Sequence, residues 1–189
     1  MKVKVKVPAT SANLGPGFDV AGLALTLYNT FTFELADQGL NITGCPEQFC
    51  NEENMTYQAF KQAAEICGLE YQGVNIECSG DVPYTRGLGS SSTCIVAGIV
   101  GAFAFKDKVE DRQEILELAT AIEGHPDNVA PAIFGGLTVS VMEEDNVLTL
   151  NIPVKHDYRF VTLIPPFTLS TEQSRSVLPQ VLPRADAIK

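Results

Sequence analysis

The chain has 189 residues, of which 45% are hydrophobic and 19% are charged, a composition typical of a globular protein with a substantial core and not of a disordered or fibrous one. Its net charge of −10 excludes nonspecific nucleic-acid binding, because a phosphate backbone requires a basic face. Nowhere does the sequence approach the roughly 18 consecutive apolar residues of a membrane-spanning helix, so we expect no membrane partner.

The amino-terminal segment and the cysteines indicate a cytoplasmic protein. Residues 1–8 alternate lysine with valine and contain no apolar signal core. The five cysteines form an odd set without a Cys-x-x-Cys pattern, so we expect reduced, mostly buried thiols. Cys45 and Cys50 are close enough in sequence to share a loop, but only two histidines occur elsewhere, and we do not expect a structural zinc site.

Hydrophobic patterning predicts strands and helices in mixed order along the first half of the chain. Residues 2–7 alternate polar and apolar side chains, which is typical of a half-buried strand. Residues 8–19, PATSANLGPGFD, contain two glycines and two prolines and predict a loop. The pattern then predicts one long strand or two successive strands over 21–35, a helix over 52–67 that stops at Gly68, and a strand over 73–79.

The second half continues the mixture of helices and strands. Two helices are predicted over about 90–105 and 111–123, and strands are predicted over 135–141, 147–152 and 160–164. Residues 142–146, MEEDN, read as an acidic hairpin turn, and a capped helix is expected to start near Ser170 or Thr171. Such a mixture indicates an α+β or α/β protein.

A glycine- and serine-rich loop immediately precedes the helix predicted from residue 90. A helix start offers unpaired N–H groups and partial positive charge, and glycines let a phosphate approach the backbone closely. Gly87 and Gly89 followed by three serines therefore suit a phosphate cradle, whereas the alternative is a tight turn with Ser90 as helix cap. Neither the Walker pattern nor the dinucleotide fingerprint matches this loop.

Four segments of the sequence resemble motifs of the GHMP kinases, a superfamily of small-molecule kinases. PYTRGLGSSS, residues 83–92, is similar to the second motif of the superfamily, and PATSANLGPGFD is similar to the first. Two further segments resemble homoserine kinases in particular: EGHPDNVAPAIFGG, residues 123–136, and LSTEQSRSVLP, residues 169–179. The four motifs occur in the family's order and extend over nearly the whole chain.

The resemblance implies an α+β fold of the ribosomal-protein-domain-2 type with a left-handed βαβ crossover, an exception to the usual right-handed rule. It implies a GHMP kinase N-terminal, ATP-binding domain over residues 1–153. Residues 154–189 would then be the truncated beginning of a ferredoxin-like C-terminal domain. The superfamily's third, glycine-rich motif does not occur in this sequence.

The implied reaction is transfer of the γ-phosphoryl group of ATP to the side-chain hydroxyl of L-homoserine, a step of threonine biosynthesis. The implied cofactors are ATP and Mg²⁺, and the implied assembly is a homodimer. By resemblance the nucleotide would contact Asn54, Pro83, Tyr84, Thr85, Arg86, Gly87, Leu88, Gly89, Ser90, Ser91, Ser92 and Thr93. Asn54 has the alternative role of a helix cap. Mg²⁺ would be held by Ser90 or Ser91 together with Glu117, which without the resemblance would be interpreted as a solvated helix residue.

The resemblance also implies how the amino acid would be recognised. Asn13, Asp19 and His125 would face the substrate, and Arg175 with Thr171 would bind its carboxylate, as an arginine fork does. As isolated residues, Asp19 would be interpreted as a turn residue and Arg175 as a surface charge.

The HPDN segment leaves two interpretations of the catalytic step open. Asp127 could act as a base, or Asn128 could align the substrate hydroxyl without a base, which a loose transition state tolerates. We favour Asn128. The competing functions are another GHMP small-alcohol kinase and an inactive nucleotide-binding fragment.

Overall fold

One mixed sheet organises the chain in the computed structural model, which describes residues 1–109, 111–144, 146–155, 157–164, 166–167, 176–179 and 181–187. In that part of the chain the sheet has six strands. They are β1 (Lys2–Ala12), β2 (Ala21–Ala36), β3 (Gly39–Thr43), β4 (Gly73–Gly80), β5 (Leu137–Glu143) and β6 (Asn146–Ile152). The helices are α1 (Met55–Cys67), α2 (Ser90–Ala104), α3 (Arg112–Glu123), α4 (Pro126–Phe134) and α5 (Arg184–Ala187), with a 3₁₀ turn at Glu47–Phe49.

Strand β2 lies at the centre of the sheet and is paired along both of its edges. Glu34 of β2 pairs with Lys2 of β1 and also with Asn75 of β4, so β1 and β4 must lie on opposite edges of β2. Strand β5 pairs with the same edge of β2 as β4 does, but at the amino end of β2, where Gly22 pairs with Thr138. The sheet order is therefore β3-β4-β2-β5-β6, with β1 beside β2.

Strands β3 and β4 are parallel and are joined through α1, which makes a βαβ unit. Asn54 starts α1, because its side-chain oxygen accepts hydrogen bonds from the N–H groups of Thr56 and Tyr57. Gly68 ends the helix in the left-handed conformation, with φ at 67°, as the sequence predicted. The α+β fold class is confirmed.

Helices α1 and α2 pack against each other and against the sheet to form the core. Phe33 of β2, Phe60 of α1 and Phe103 of α2 are fully buried, and the rings of Phe33 and Phe60 stack with centroids 5.5 Å apart. A Cβ atom at Gly98 of α2 would lie 2.3 Å from the carbonyl oxygen of Thr56, so only glycine permits this approach of the two helices. The long apolar run of α2 is explained by this burial on several faces.

The structure differs from the sequence predictions in several places. Residues 8–12, predicted as the start of a loop, instead form the end of β1 and pair with β2. The strand predicted over 160–164 does not form: these residues are exposed, and in the described part of the chain no strand lies beside them to pair with. Strand β3 and helix α4 were not predicted. The helix predicted near Ser170 or Thr171 lies outside the described residues. Within the described part, no helix is long and apolar enough to cross a membrane.

Candidate active site

The loop before α2 presents the start of that helix without a side-chain cap. Gly89 occupies the cap position with φ at 64°, and no side chain caps the helix there. The hydroxyl of Ser90 accepts instead from the N–H of Thr85, at 3.4 Å, so the interpretation of Ser90 as the helix cap was wrong. A helix start with uncapped N–H groups is the arrangement that an anion requires.

Three motifs that are far apart in the sequence meet at Thr10. The N–H of Thr10 donates to the carbonyl of Leu88 at 3.1 Å, and its hydroxyl donates to Oδ1 of Asn128 at 2.7 Å. A Cβ atom at Gly89 would lie 2.0 Å from Oγ1 of Thr10 and 3.2 Å from Oδ1 of Asn128. Thr10 is fully buried. It therefore fixes the amide of Asn128 beside the start of α2, and sequence reasoning did not single it out.

We expect Thr10→Val to lower the free energy of unfolding by about 1–3 kcal/mol, since it leaves the oxygen of Asn128 without its buried donor. Thr10→Ser keeps the hydroxyl and is the matched control, with a smaller loss. A double-mutant cycle compares the unmodified chain, Thr10→Val, Asn128→Ala and the double variant Thr10→Val/Asn128→Ala by urea unfolding. A coupling energy of zero between the two positions would contradict this assignment.

The serines at the start of α2 contact Glu123, the last residue of α3. The hydroxyls of Ser91 and Ser92 donate to the two carboxylate oxygens of Glu123, at 2.7 and 3.1 Å. Among the described residues Glu117 makes no hydrogen bond to the serines: its carboxylate accepts from Gln113, whose amide also donates to the carbonyl of Val147 in β6. Six residues of helix turn the two glutamates about 120° apart.

Glu123 is thus the carboxylate that contacts the serines directly, and the expectation that Glu117 holds Mg²⁺ together with Ser90 or Ser91 stays a prediction. The sequence held the signal, because Glu123 opens the EGHPDN segment and immediately precedes the glycine that ends α3.

Asp19, His125 and Asp127 form a second cluster next to Asn128. One side-chain atom of each lies within 4.8 Å of the others. Asp127 is fully buried: its Oδ1 lies 2.5 Å from Nδ1 of His125, and its Oδ2 has no hydrogen-bond partner among the described residues. Asn13 orders the adjoining loop, because its Oδ1 accepts from the N–H of Asp19 at 2.9 Å. Asp19 and His125 are half-buried, so they are the members of the cluster that remain accessible.

A close backbone contact explains why Asp127 is buried. A Cβ atom at Gly22 of β2 would lie 1.7 Å from the carbonyl oxygen of Asp127, so the strand and the start of α4 touch directly. Pro126 occupies the first turn of α4, where its missing N–H is not needed. The helix start thereby places Asn128 beside the loop before α2, where a Cβ atom at Gly89 would lie 3.2 Å from its Oδ1.

The hydrogen bond to Asp127 raises the pKa of His125 above its ordinary value, and the nearby negative charge of Asp127, Glu123 and Asp19 adds to this against the opposing effect of burial. Protonated His125 therefore stabilises the fold. That contribution is complete below about pH 6.5, the value expected in the unfolded chain, and is lost as the pH rises through the raised folded pKa.

We accordingly expect the stability difference between the unmodified chain and His125→Gln to shrink as the pH rises above about 6.5. Urea unfolding of both proteins across a pH series measures this difference. A difference that is constant or grows with pH would contradict the assignment.

A cavity of about 390 Å³ opens between the starts of α1 and α2. It is lined by Asn54, Tyr84, Thr85, Ser90 and Ser91, which are five of the predicted nucleotide contacts. Asn54 itself caps α1 and also donates to the carbonyl of Phe49 at 2.8 Å, so its interpretation as a cap is confirmed.

Two other predicted nucleotide contacts have side chains that do not face the cavity. The side chain of Leu88 is buried with Ala9 and Val82, and Thr93 is fully buried with its hydroxyl bonded to the carbonyl of Ser90. These two side chains point into the protein, so only their backbone could reach a ligand. Arg86 is partly exposed and donates to the carbonyl of Pro166 at 3.2 Å. Thr171 and Arg175 lie outside the described residues.

Known proteins resemble this chain in sequence and in fold. Residues 54–136 match the model of the GHMP kinases N terminal domain. A homoserine kinase from Clostridium botulinum is 48% identical over 187 residues, which cover 98% of this chain and 63% of that relative. A Listeria monocytogenes structure described as a candidate homoserine kinase has 32% identity and a TM-score of 0.76, over 100% of this chain and 63% of that one.

The homoserine kinase structure from Cytophaga hutchinsonii has 27% identity and a TM-score of 0.81, over 99% of this chain and 63% of that one. The chain thus spans 63% of the length of these relatives. The sequence match, the shared fold and the meeting of the motifs around Thr10 agree with one another, and the chain contains a GHMP kinase N-terminal domain.

Proposed function

We propose that this protein is a homoserine kinase. It would transfer the γ-phosphoryl group of ATP to the side-chain hydroxyl of L-homoserine, giving O-phospho-L-homoserine and ADP. The observation that carries the proposal is the contact of Thr10 with both Leu88 and Asn128, which joins the anion-binding helix start to the cluster of Asp19, His125 and Asp127. Phosphoryl transfer requires mainly such alignment of donor and acceptor.

The nucleotide is proposed to place its base in the cavity and its phosphates at the start of α2. The cavity has enough volume for a base, and its wall contains apolar side chains, among them Phe49, Met55 and Val82. Mg²⁺ fits the neighbouring donor set, because the hydroxyls of Ser91 and Ser92 and the carboxylate of Glu123 offer only oxygen ligands. When bound, the ion would neutralise charge on the phosphates.

The amino acid is proposed to bind at the acidic cluster. Asp19 offers a carboxylate to its ammonium group, and the buried carboxylate of Asp127 adds negative charge beside it, with Asn13 and His125 ordering the loop. Arg175 and Thr171 remain the proposed partners of its carboxylate. Because Thr10 holds the oxygen of Asn128, the amide nitrogen of Asn128 is the group that can donate to the substrate hydroxyl.

We predict that Asp127→Asn leaves turnover near that of the unmodified enzyme, since Asn128 aligns the hydroxyl and a loose transition state needs little help from a base. The comparison is Asn128→Ala, for which we expect a clear loss of kcat. The measurement is ADP release with homoserine as the substrate, made on both variants and on the unmodified enzyme. A fall of about 10³-fold in Asp127→Asn would identify Asp127 as a general base.

The overall function is tested by ADP release with homoserine, mevalonate and galactose, run beside a nucleotide-binding titration and with the Clostridium botulinum relative as positive control. Turnover of homoserine is expected. Turnover of mevalonate or galactose alone would favour another small-alcohol kinase. Nucleotide binding without turnover of any alcohol would favour a nucleotide-binding fragment.

The proposed setting is threonine biosynthesis in the cytoplasm, and the proposed assembly is a homodimer, which sedimentation would measure. Residues 154–189 remain proposed as the start of a C-terminal domain.

A further inference from the structure

A pair of thiols beside the cavity has no part in the proposed function. Cys45 lies in the cavity wall together with Cys78 and Cys94, and Cys50 follows five residues later along the chain. The sulfur atoms of Cys45 and Cys50 are 3.5 Å apart, and both cysteines are free thiols. At this separation an oxidant can join the two sulfur atoms in a disulfide bond.

The local backbone holds the two thiols together. Pro46 precedes the 3₁₀ turn Glu47–Phe49, and Cys50 closes that turn by donating its N–H to the carbonyl of Glu47. The thiol of Cys50 in turn lies 3.7 Å from the carbonyl oxygens of both Cys45 and Pro46. A disulfide bond requires a sulfur separation of about 2.05 Å, so the two atoms need to approach by only about 1.5 Å.

The two thiols differ in accessibility, which sets an order of reaction. Cys50 is exposed, whereas Cys45 is half-buried and its burial raises its pKa to about 11. A thiolate is the attacking species in thiol–disulfide exchange, and an exposed thiol meets an oxidant first. Cys50 is therefore the attacking thiol and Cys45 the resolving one.

We propose that Cys45 and Cys50 form a covalent modification site for low-molecular-weight disulfides, at which an intramolecular disulfide bond closes beside the cavity. The Cys50 thiol loses its proton to water and attacks the disulfide RSSR, so that a Cys50–SR bond forms and RS⁻ leaves. Cys45 then loses its proton and attacks the Cys50 sulfur, releasing the second RS⁻. The protein loses two electrons and two protons, and RSSR is reduced to two RSH.

The new bond would act on the cavity through the turn that it closes. Phe49, next to Cys50, lines the cavity with its ring 6.0 Å from that of Tyr84, and its carbonyl accepts from Asn54. Drawing Cys50 toward Cys45 shifts Phe49 and strains these two contacts. An effect on nucleotide affinity follows, and this part alone rests on the proposed function.

The covalent step is tested on the reduced chain with 2-hydroxyethyl disulfide and intact-mass spectrometry. We expect a loss of two hydrogens, about 2 Da, located in the peptide that contains both cysteines. Cys45→Ser should instead keep a mixed-disulfide adduct on Cys50, and Cys50→Ser should show neither product at that peptide. Cys94→Ala, which removes another thiol of the same cavity, is the matched control and should still lose two hydrogens. A persistent adduct without that loss in the unmodified chain would overturn the proposal.

The effect on the cavity is tested by titrating a nonhydrolysable ATP analogue into the reduced and the oxidised chain. We expect about tenfold weaker binding after oxidation, since displacements of about 1 Å impair a fitted site. Dithiothreitol should restore it, and Cys50→Ser should show no change. Equal affinities would overturn the link to the cavity. No binding to the reduced chain would contradict the proposed function, while the mass measurement would still decide on the disulfide.

Discussion

Gly89→Ala is expected to lower the affinity for ATP by at least about 100-fold, because positioned contacts at the phosphates would be lost. The added Cβ atom would lie 2.0 Å from Oγ1 of Thr10, and the backbone at this position has φ at 64°. The variant therefore combines left-handed strain of about 1 kcal/mol with overpacking of about 1–3 kcal/mol. Either the loop moves away from Thr10 or the chain loses that stability.

Gly87→Ala separates these two effects and is the matched control. Gly87 also has a positive φ, 69°, but a Cβ atom there would have no atom within 4 Å. It should show only the strain of about 1 kcal/mol and a modest change in affinity. Calorimetric titration of an ATP analogue and urea unfolding measure both quantities. Equal losses of affinity in the two variants would show that contact with Thr10 is unimportant.

Glu123→Gln is the second change with a large expected effect. We expect it to remove most of the gain in ATP affinity that Mg²⁺ produces, about tenfold or more, because a neutral amide is a poor ligand for a hard cation. Removing the carboxylate should leave binding in the presence of EDTA nearly unchanged. The measurement is an ATP-analogue titration with and without Mg²⁺.

Glu117→Gln is the control on the same helix, and it should keep the full Mg²⁺ effect, because its carboxylate bonds to Gln113. The reverse outcome, loss of the Mg²⁺ effect in Glu117→Gln and its retention in Glu123→Gln, would restore the expectation drawn from the sequence.

Local pattern was sufficient to predict the elements that position the anion site. Helix α2 begins at Ser90 and helix α1 ends at Gly68, as predicted, because glycine in the left-handed conformation marks both boundaries. The long strand β2 also follows from its composition, although the sequence alone did not distinguish one strand from two. In each of these elements the signal lies within a few neighbouring residues.

The elements that were missed depend on tertiary contacts. Helix α4 contains Pro131 in its interior, which by local rules argues against a helix, yet the helix forms with most of its residues buried. Strand β3 has only five residues, and its parallel pairing with β4 requires the intervening helix to be in place. Propensity therefore failed where packing determines the structure.

The candidate site shows the same division. The motifs indicated which segments matter, but they did not indicate that Thr10 joins them, because Thr10 reaches Asn128 across a long stretch of chain. The motifs also did not indicate that Glu123 accepts from Ser91 and Ser92, because that contact depends on how α3 packs beside α2, and the Mg²⁺ role expected of Glu117 stays a prediction.

The hydrogen bond between Thr10 and Asn128 has a consequence for biosynthesis. Its partners are separated by 118 residues, and at a synthesis rate of 5–20 residues per second the later partner is made about 6 to 24 s after the earlier one. During that interval the nascent chain lacks the partner that anchors its first motif. Ribosome-bound chains that end before residue 128 should consequently be unable to bind a nucleotide. The site is complete only when the segment that contains Asn128 has left the exit tunnel.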